Sequence, residues 1–520
     1  MSLQRTDSPL NGETMTFNNL RELLEMRAAA MPQKTWLFSA TDERRWSYAE
    51  FDAAVNRAAN LLLSLSVGKG DKISLLMTNS PEYIIAYFAC WKIGAVAGPV
   101  NSHLKSEELA FVLDNSEAVA LITECGFLDQ VTLIQANLRH LRHIIVTDEE
   151  AEGTIHYPSA VAAQSAELRA TQLDAEDEAI IIYTSGTTGK PKGVLLTHRN
   201  LIANARQITD WLKFTEADRL LCIMPLFHVN AIIVTTMMPL YAGASTVVAP
   251  KFSASRHWNW ISDFRITSFG SVATMLAMLL QTYPEGVPAG LHAEQLRFAM
   301  CGSAPVPVEV LKQFEERFGC LVIEGYGLSE STCRATFNPP DQRRRPGSCG
   351  LPIGNELKIF DENDRELSVG EVGEIVLRGE NLLKGYFKNP EATAKAFRSG
   401  WFHTGDVGYR DADGFLFIVD RKSDMIIRGG ENIYPREIDE VLYQHPAVQD
   451  AATIGVKDSL YGEEVKAFVV LKDGAQANEE ELIAHCRAHL ADFKCPKTIE
   501  FLTAIPKGPT GKLLKRELAK

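Results

Sequence analysis

The feature that most constrains this chain is a repeated alternation of helix-like and strand-like segments. Phe51–Ser66 carries apolar residues at helical spacing, and Lys72–Met77 reads as a short buried strand. Pro81–Ile93 is helical again and stops at Gly94, after which Val96–Val100 forms a second strand. Helix and strand taking turns in this way predict an α/β protein with largely parallel sheets. Between Lys358 and Phe417 the texture changes. There EIVLRG and GFLFIVD lie between the turn-forming DENDRE and DADG stretches, so β-hairpins are expected. The remainder reads as a small α+β unit, with helices over Glu437–Tyr443 and Glu479–Leu490 and strands over Ala451–Val456 and Ala467–Leu471. A chain of 520 residues exceeds what one core usually serves. The polar run Asp420–Asp424 is the expected boundary, giving domains 1–422 and 423–520.

Hydrophobic residues make up 46% and charged residues 23%, which suits an ordinary globular chain. The net charge of −13 argues against nucleic acid or an anionic membrane surface as partner. The nine cysteines are scattered without a CxxC pair and are read as reduced core residues, which suits a cytoplasmic location. MSLQRTDSPLNGETMTF holds no apolar stretch of signal-peptide type, and the final ELAK matches no peroxisomal or lipidation signal. The uncharged stretch from Asn230 to Pro250 is read as buried helix, turn and strand, so no membrane span is expected. Oligomeric state is left open, a homodimer included.

The first chemical signal is the segment YTSGTTGKPKG, Tyr183 to Gly193, directly after the apolar strand Ala179–Ile182. Small hydroxyl and glycine residues let a loop wrap phosphate oxygens and offer N–H and O–H donors, while lysines add positive charge. It is not a Walker A loop, because Thr184 holds the first glycine's place and Pro191 follows Lys190. Further motifs stand in order: MPLFH (224–228), CGSAP (301–305), GYGLSE (325–330), WFHTGD (401–406), VDRK (419–422), RGGEN (428–432) and PTGK (509–512).

With these motifs the chain resembles the adenylate-forming superfamily of acyl-CoA synthetases, peptide-synthetase adenylation domains and beetle luciferases. It is most similar in pattern to bacterial carnitine/crotonobetaine-type CoA ligases and their neighbours. The resemblance covers nearly the whole chain. It implies a large N-terminal domain of layered αβαβα sheets with a β-barrel-like subdomain, and a small mobile C-terminal α+β domain. It also implies ATP, Mg²⁺ and coenzyme A as cofactors and a small carboxylic acid as substrate.

Roles follow from the same resemblance. Thr184 and Glu330 flank the phosphates and hold the metal, and Ser185, Gly186, Thr187, Thr188 and Lys192 complete the phosphate cradle. Gly302, Ser303, Ala304 and Pro305 form one wall of the adenine slot. Tyr326, between Gly325 and Gly327, stacks on the base, and the Ser329 hydroxyl contacts phosphate. Asp406 accepts from the ribose hydroxyls, with Arg421 beside it. Lys512 swings in to contact the reacting carboxylate and α-phosphate. A flexible ammonium suits charge delivered at the transition state. The C-terminal domain pivots at Ser423, after which Gly429 and Gly430 line the pantetheine tunnel.

The acyl pocket is assigned to His228, Val229, Asn230 and Ile233, to Val272 between Ser271 and Ala273, to Cys301, and to Leu328, Ser331, Thr332 and Cys333. His228 is read as a gate rather than a general base. The lining is small and of mixed polarity, which favours a short or medium, polar or aryl acid over a long-chain fatty acid. Asn230 is neutral where a trimethylammonium substrate would favour an anion. Arg334 is read as a solvated loop arginine beside Arg343, Arg344 and Arg345; the alternative is contact with a distal anion. Beside the acid–CoA ligase stand two other readings, an adenylating enzyme that loads a carrier protein and a non-catalytic nucleotide-binding relative. The presence of Thr184, Glu330 and Lys512 speaks against the last.

Overall fold

The structure is a computed structural model and describes residues 17–169, 171–184, 191–302, 306–422, 424–429, 431–507 and 514–518. Among these residues the strands form four sheets. One has nine strands. Its central strands, Thr35–Ser39, Ser245–Val248, Arg219–Cys222, Ser268–Ser271, Phe298–Cys301 and Leu321–Tyr326, are mutually parallel. Another has eight strands built around Lys72–Leu76, Val96–Pro99, Ala118–Thr123 and Glu178–Thr184, also parallel.

The helix Pro81–Ile93 shows how the two large sheets are joined. Ser80 caps it by accepting from the Tyr83 amide at 3.2 Å, and Gly94 ends it at φ +74°, a conformation glycine adopts without a Cβ clash. Every one of its residues but Glu82 is buried, as an element covered on both faces requires. Its side chains bond to both sheets. The Tyr83 and Trp91 rings donate to Leu75 O at 3.1 Å and Ala179 O at 2.9 Å in the eight-stranded sheet. Tyr87 donates at 2.8 Å to Leu226 O, beyond the end of Arg219–Cys222 in the nine-stranded sheet. This is the middle helical layer of the expected αβαβα arrangement.

The predicted hairpins are present. Glu356–Phe360 pairs antiparallel with Gly373–Arg378 across the DENDRE turn, and Trp401–Arg410 pairs with Leu416–Arg421 across DADG. They belong to a five-stranded sheet whose pairing path has free ends among the described residues, so where a β-barrel-like subdomain is expected the described strands form an open sheet, not a ring closed by hydrogen bonds. The polar run expected as a boundary is partly strand, because Asp420 and Arg421 continue the ladder opposite Val407 and Asp406.

The largest apolar cluster draws on residues from Leu20 to Leu416, and a separate one runs from Ile426 to Ile499. The second lies under the sheet of Val448–Asp458 and Gly462–Leu471 and the helices Pro435–Tyr443 and Glu479–His489. The strands are longer than predicted because each extends past its apolar residues while its partner still offers backbone groups. Among the described residues no helix is long and apolar enough to cross a membrane.

Asp439 lies on the buried face of Pro435–Tyr443, and burial lifts its carboxyl to about 7. A carboxyl raised in the fold stabilises below the unfolded-state value and loses that contribution as pH climbs through about 7. Asp439→Asn stays neutral throughout. Its Pro435–Tyr443 helix is expected to keep constant hydrogen-exchange protection between about pH 5 and 8, where the wild-type helix loses protection after correction for intrinsic exchange.

Candidate active site

Several of the described candidate residues gather at one edge of the nine-stranded sheet. Each parallel strand ends in a loop that carries one motif: MPLFH after Arg219–Cys222, Val272 after Ser268–Ser271, Gly302 after Phe298–Cys301 and GLSE after Leu321–Tyr326. Open parallel sheets bind ligands at the carboxyl ends of their strands, where loops converge and backbone groups are left without sheet partners. Asn79 fixes the first of these loops. Its Nδ2 donates to Met224 O at 2.8 Å, and its Oδ1 accepts from Leu226 N at 2.7 Å.

Tyr326 and Asp406 meet across sheets. The Tyr326 hydroxyl donates to Asp406 Oδ2 at 2.6 Å, and both residues are buried. Arg421 lies opposite Asp406 in the hairpin ladder, and its Nε stands 3.3 Å from Asp406 Oδ1. Burial alone would lower the Arg421 guanidinium, yet the charges of Asp406 and Asp424 outweigh it and hold it above its ordinary value. Gly327, just past Tyr326, has no room for a side chain, because a Cβ there would lie 1.9 Å from Cys333 O.

Glu330 lies on the short turn Ser329–Ser331 and is half-buried. Tyr386 donates its hydroxyl to Glu330 Oε1 at 3.0 Å, and Leu383 N donates to the Glu330 carbonyl at 2.8 Å. No basic side chain forms an ion pair with this carboxylate among the described residues, and burial raises it above its ordinary value, with the charge of Asp406 adding to the effect. Tyr386 pairs with Val194 in the strand Lys192–Thr197, and the Lys192 ammonium sits 5.3 Å from the Tyr386 ring centre. Lys192 is itself the ladder partner of Thr184. Thr184, Lys192, Tyr386 and Glu330 are thus linked in series. A half-buried carboxylate with no ion pair among the described residues, linked through Tyr386 and Lys192 to the threonine Thr184, offers the hard-oxygen chemistry that suits Mg²⁺.

The assigned acyl-pocket residues are brought to the same edge. Asn230 is buried on the helix Val229–Ile232 with Oδ1 unpartnered among the described residues, and that oxygen would lie 3.1 Å from a Cβ on Gly270. His228 Nε2 is buried without a hydrogen-bond partner among the described residues. Burial lowers the imidazole to about 4, with His103 adding to the effect, so the ring is neutral at ordinary pH. Val272, Cys301 and Cys333 are buried, and Val229 and Leu328 half-buried.

Arg334 corrects the sequence reading. It is not a solvated loop arginine but is 2% exposed, with its guanidinium stacked on Gly302. Arg343, Arg344 and Arg345, beside which it was grouped, instead pair with Asp341, Glu315, Asp411 and Asp413. Sequence reasoning missed Tyr386 and Asn79 altogether. Neither sits in a recognisable motif, and each acts on a residue far away in the chain.

Gly325 lies near the end of the strand Leu321–Tyr326 and Ser329 on the turn Ser329–Ser331, and Gly429 lies at φ +60° with its amide donating to Tyr461 O at 2.9 Å. Ser185, Gly186, Thr187, Thr188, Ser303, Ala304, Pro305, Ser423, Gly430 and Lys512, all expected in the site, lie outside the described residues.

Tyr326→Phe keeps the ring and removes the donor to Asp406. AMP affinity is expected to fall about tenfold, the cost of one buried charge-assisted hydrogen bond at ~1.4 kcal/mol. Titration calorimetry reads this directly.

Residues 24–387 match the AMP-binding enzyme family, and residues 437–512 match the AMP-binding enzyme C-terminal domain. The chain is 37% identical over 511 residues to the sulfoacetate–CoA ligase of Cupriavidus necator, covering 97% of this chain and 98% of that one. It is 35% identical over 514 residues to the crotonobetaine/carnitine–CoA ligase of Salmonella typhimurium, covering 96% and 98%. Among solved structures, the anthranilate CoA ligase AuaEII with anthranoyl-AMP superposes with a TM-score of 0.88 at 31% identity, covering 96% of this chain and 97% of that one. The chain therefore belongs to the AMP-binding enzymes, as an ATP-dependent, adenylate-forming member of the acyl-CoA synthetase type.

Proposed function

We propose that this protein joins a short or medium carboxylic acid to coenzyme A in two steps, using the residues gathered at the sheet edge. In the first, a carboxylate oxygen attacks the α-phosphorus of ATP, the bond to the β-phosphate oxygen breaks, and pyrophosphate leaves. In the second, the coenzyme A sulfur attacks the acyl carbon, the thiol proton is lost, and AMP departs with the oxygen.

The observation that carries this reading is the convergence of two unlike carboxylates on one edge. Asp406 is held by Tyr326 and Arg421, which suits a fixed acceptor for ribose hydroxyls. Glu330 has no ion pair among the described residues, which suits a metal ligand. Glu330 and Thr184 would hold Mg²⁺, which when bound supplies charge neutralisation on the phosphates. The first step brings two anions together, so alignment and charge dominate the barrier. Lys192 and the Ser/Thr/Gly loop position the triphosphate, and Lys512 adds charge at the reacting oxygens.

For the second step, residues 1–422 and 423–520 are read as two domains turning about Ser423. The separate apolar clusters on either side support two units. Rotation exchanges Lys512 for Gly429 and Gly430, whose missing side chains would leave space for pantetheine. The neutral His228 ring suits a gate on the acyl pocket, since a general base works best with a value near the operating pH.

A small polar or aryl acid suits a pocket lined by Asn230, Val272, Cys301 and Cys333. The relatives are named for small acids, sulfoacetate, crotonobetaine/carnitine and anthranilate. A pyrophosphate-release screen over chain length and ring type tests the reading. Turnover of long-chain fatty acids alone would sink the size assignment, and a requirement for holo-carrier protein in place of coenzyme A would sink the acceptor. Lys512→Ala is expected to lose adenylation by about 100-fold or more, while thioester formation from supplied acyl-AMP survives. Equal loss in both steps counts against the division of labour.

A further inference from the structure

Lys92 and Arg334 are both fully buried cations, and they are treated differently. Lys92 Nζ is met by Asp52 at 2.6 Å, Asn56 at 2.8 Å and Glu25 at 3.2 Å. Arg334 has no acidic partner among the described residues, and its Nε and Nη2 atoms are buried without any hydrogen bond. Its guanidinium carbon lies 5.3 Å from the Phe337 ring centre, a contact that offsets only part of the cost of burying the charge.

The backbone of Arg334 is nevertheless held firmly. Asn204 Oδ1 accepts from Arg334 N at 3.0 Å, Asn204 Nδ2 donates to Arg334 O at 2.7 Å, and Asn381 Nδ2 reaches the same carbonyl at 3.3 Å. Two residues earlier the chain is strained. Thr332, a β-branched residue, sits at φ +68° and is tied by its hydroxyl to Asn381 O at 2.7 Å. This clamp aims the guanidinium at Gly302, at the end of Phe298–Cys301 and beside two residues of the acyl lining, Cys301 and Cys333. At Gly270 of the neighbouring strand Ser268–Ser271, the helix residue Asn230 brings up its own buried oxygen, unpartnered among the described residues.

We infer that the acid substrate carries a second anionic group, a carboxylate or sulfonate at its far end, and that Arg334 binds it. The inference rests on the ligase reading above and names its substrate class. A planar fork of donors matches either oxyanion, and an orphaned buried cation is what a ligand that brings its own charge requires. Without that ligand the arginine destabilises the fold; with it, the charge is paired.

The test compares 3-sulfopropionate and succinate, as the two anionic arms, with butyrate as the neutral arm. Pyrophosphate release and thermal melting are followed in the wild type, Arg334→Met and Arg334→Lys. The wild type is expected to prefer an anionic acid, and whichever of the two is faster distinguishes sulfonate from carboxylate. Arg334→Met is expected to lose about 100-fold in kcat/KM for that acid through KM, as removal of one member of a buried charge pair does. Turnover of butyrate and the KM for ATP should hold, and Arg334→Lys should recover part of the loss. Without ligand, Arg334→Met should melt no lower than the wild type, and the anionic acid should raise the melting point of the wild type only. A wild type that prefers butyrate, an equal loss for all three acids, or a loss confined to the KM for ATP overturns the inference and leaves the ligase standing. Failure of the wild type to release pyrophosphate with any acid overturns the ligase reading instead.

Discussion

The architecture depends on one buried contact, the hydrogen bond from Tyr326 to Asp406 reinforced by Arg421. Tyr326 is the last residue of a parallel strand in the large sheet, whereas Asp406 and Arg421 face each other in the hairpin sheet. The bond therefore fixes one sheet's edge against the other. A carboxylate buried this deeply needs its partners, and those partners come from sequence positions far apart. Arg421 is also the last strand residue before the second apolar cluster begins near Ile426. The same contact thus lies where the large unit ends and the small one starts.

The sheet edge treats its charged groups in two ways. Asp406 is given a donor and a cation and is held in one state. Among the described residues, the Glu330 carboxylate accepts from one tyrosine hydroxyl, and the Arg334 guanidinium has no acidic partner. Leaving a buried or half-buried charge unpaired costs stability, and proteins retain such groups where a ligand completes them. In the proposed reaction the nucleotide with its metal and the acid both bring charge. The two incomplete groups are the places where it would be received.

Much of the fold was legible because its signals are local. Pro81–Ile93 was readable from helical spacing between Ser80-Pro81 and Gly94, and its observed limits are the same. The hairpins followed from turn residues between apolar runs. Strand limits were less legible: Val448–Asp458 extends beyond Ala451–Val456 because pairing, not side-chain polarity, decides where a ladder stops. Asp420 and Arg421 look like linker by composition and are strand by pairing.

By itself the sequence determined the chemistry available: a Ser/Thr/Gly loop after an apolar strand, a carboxylate in GYGLSE, an aspartate in HTGD and a lysine in PTGK, in an order that marks the family. Only the tertiary structure decided which groups are paired. Arg334 reads as one of several loop arginines, and its burial comes from Gly302, Phe337 and Asn204 closing around it. Nothing in the sequence singles out Tyr386, and packing delivers it to Glu330. Burial and partnership depend here on packing against residues such as Asn204 and Glu330, which stand 130 and 56 positions from Arg334 and Tyr386, so the local pattern around either residue does not encode them.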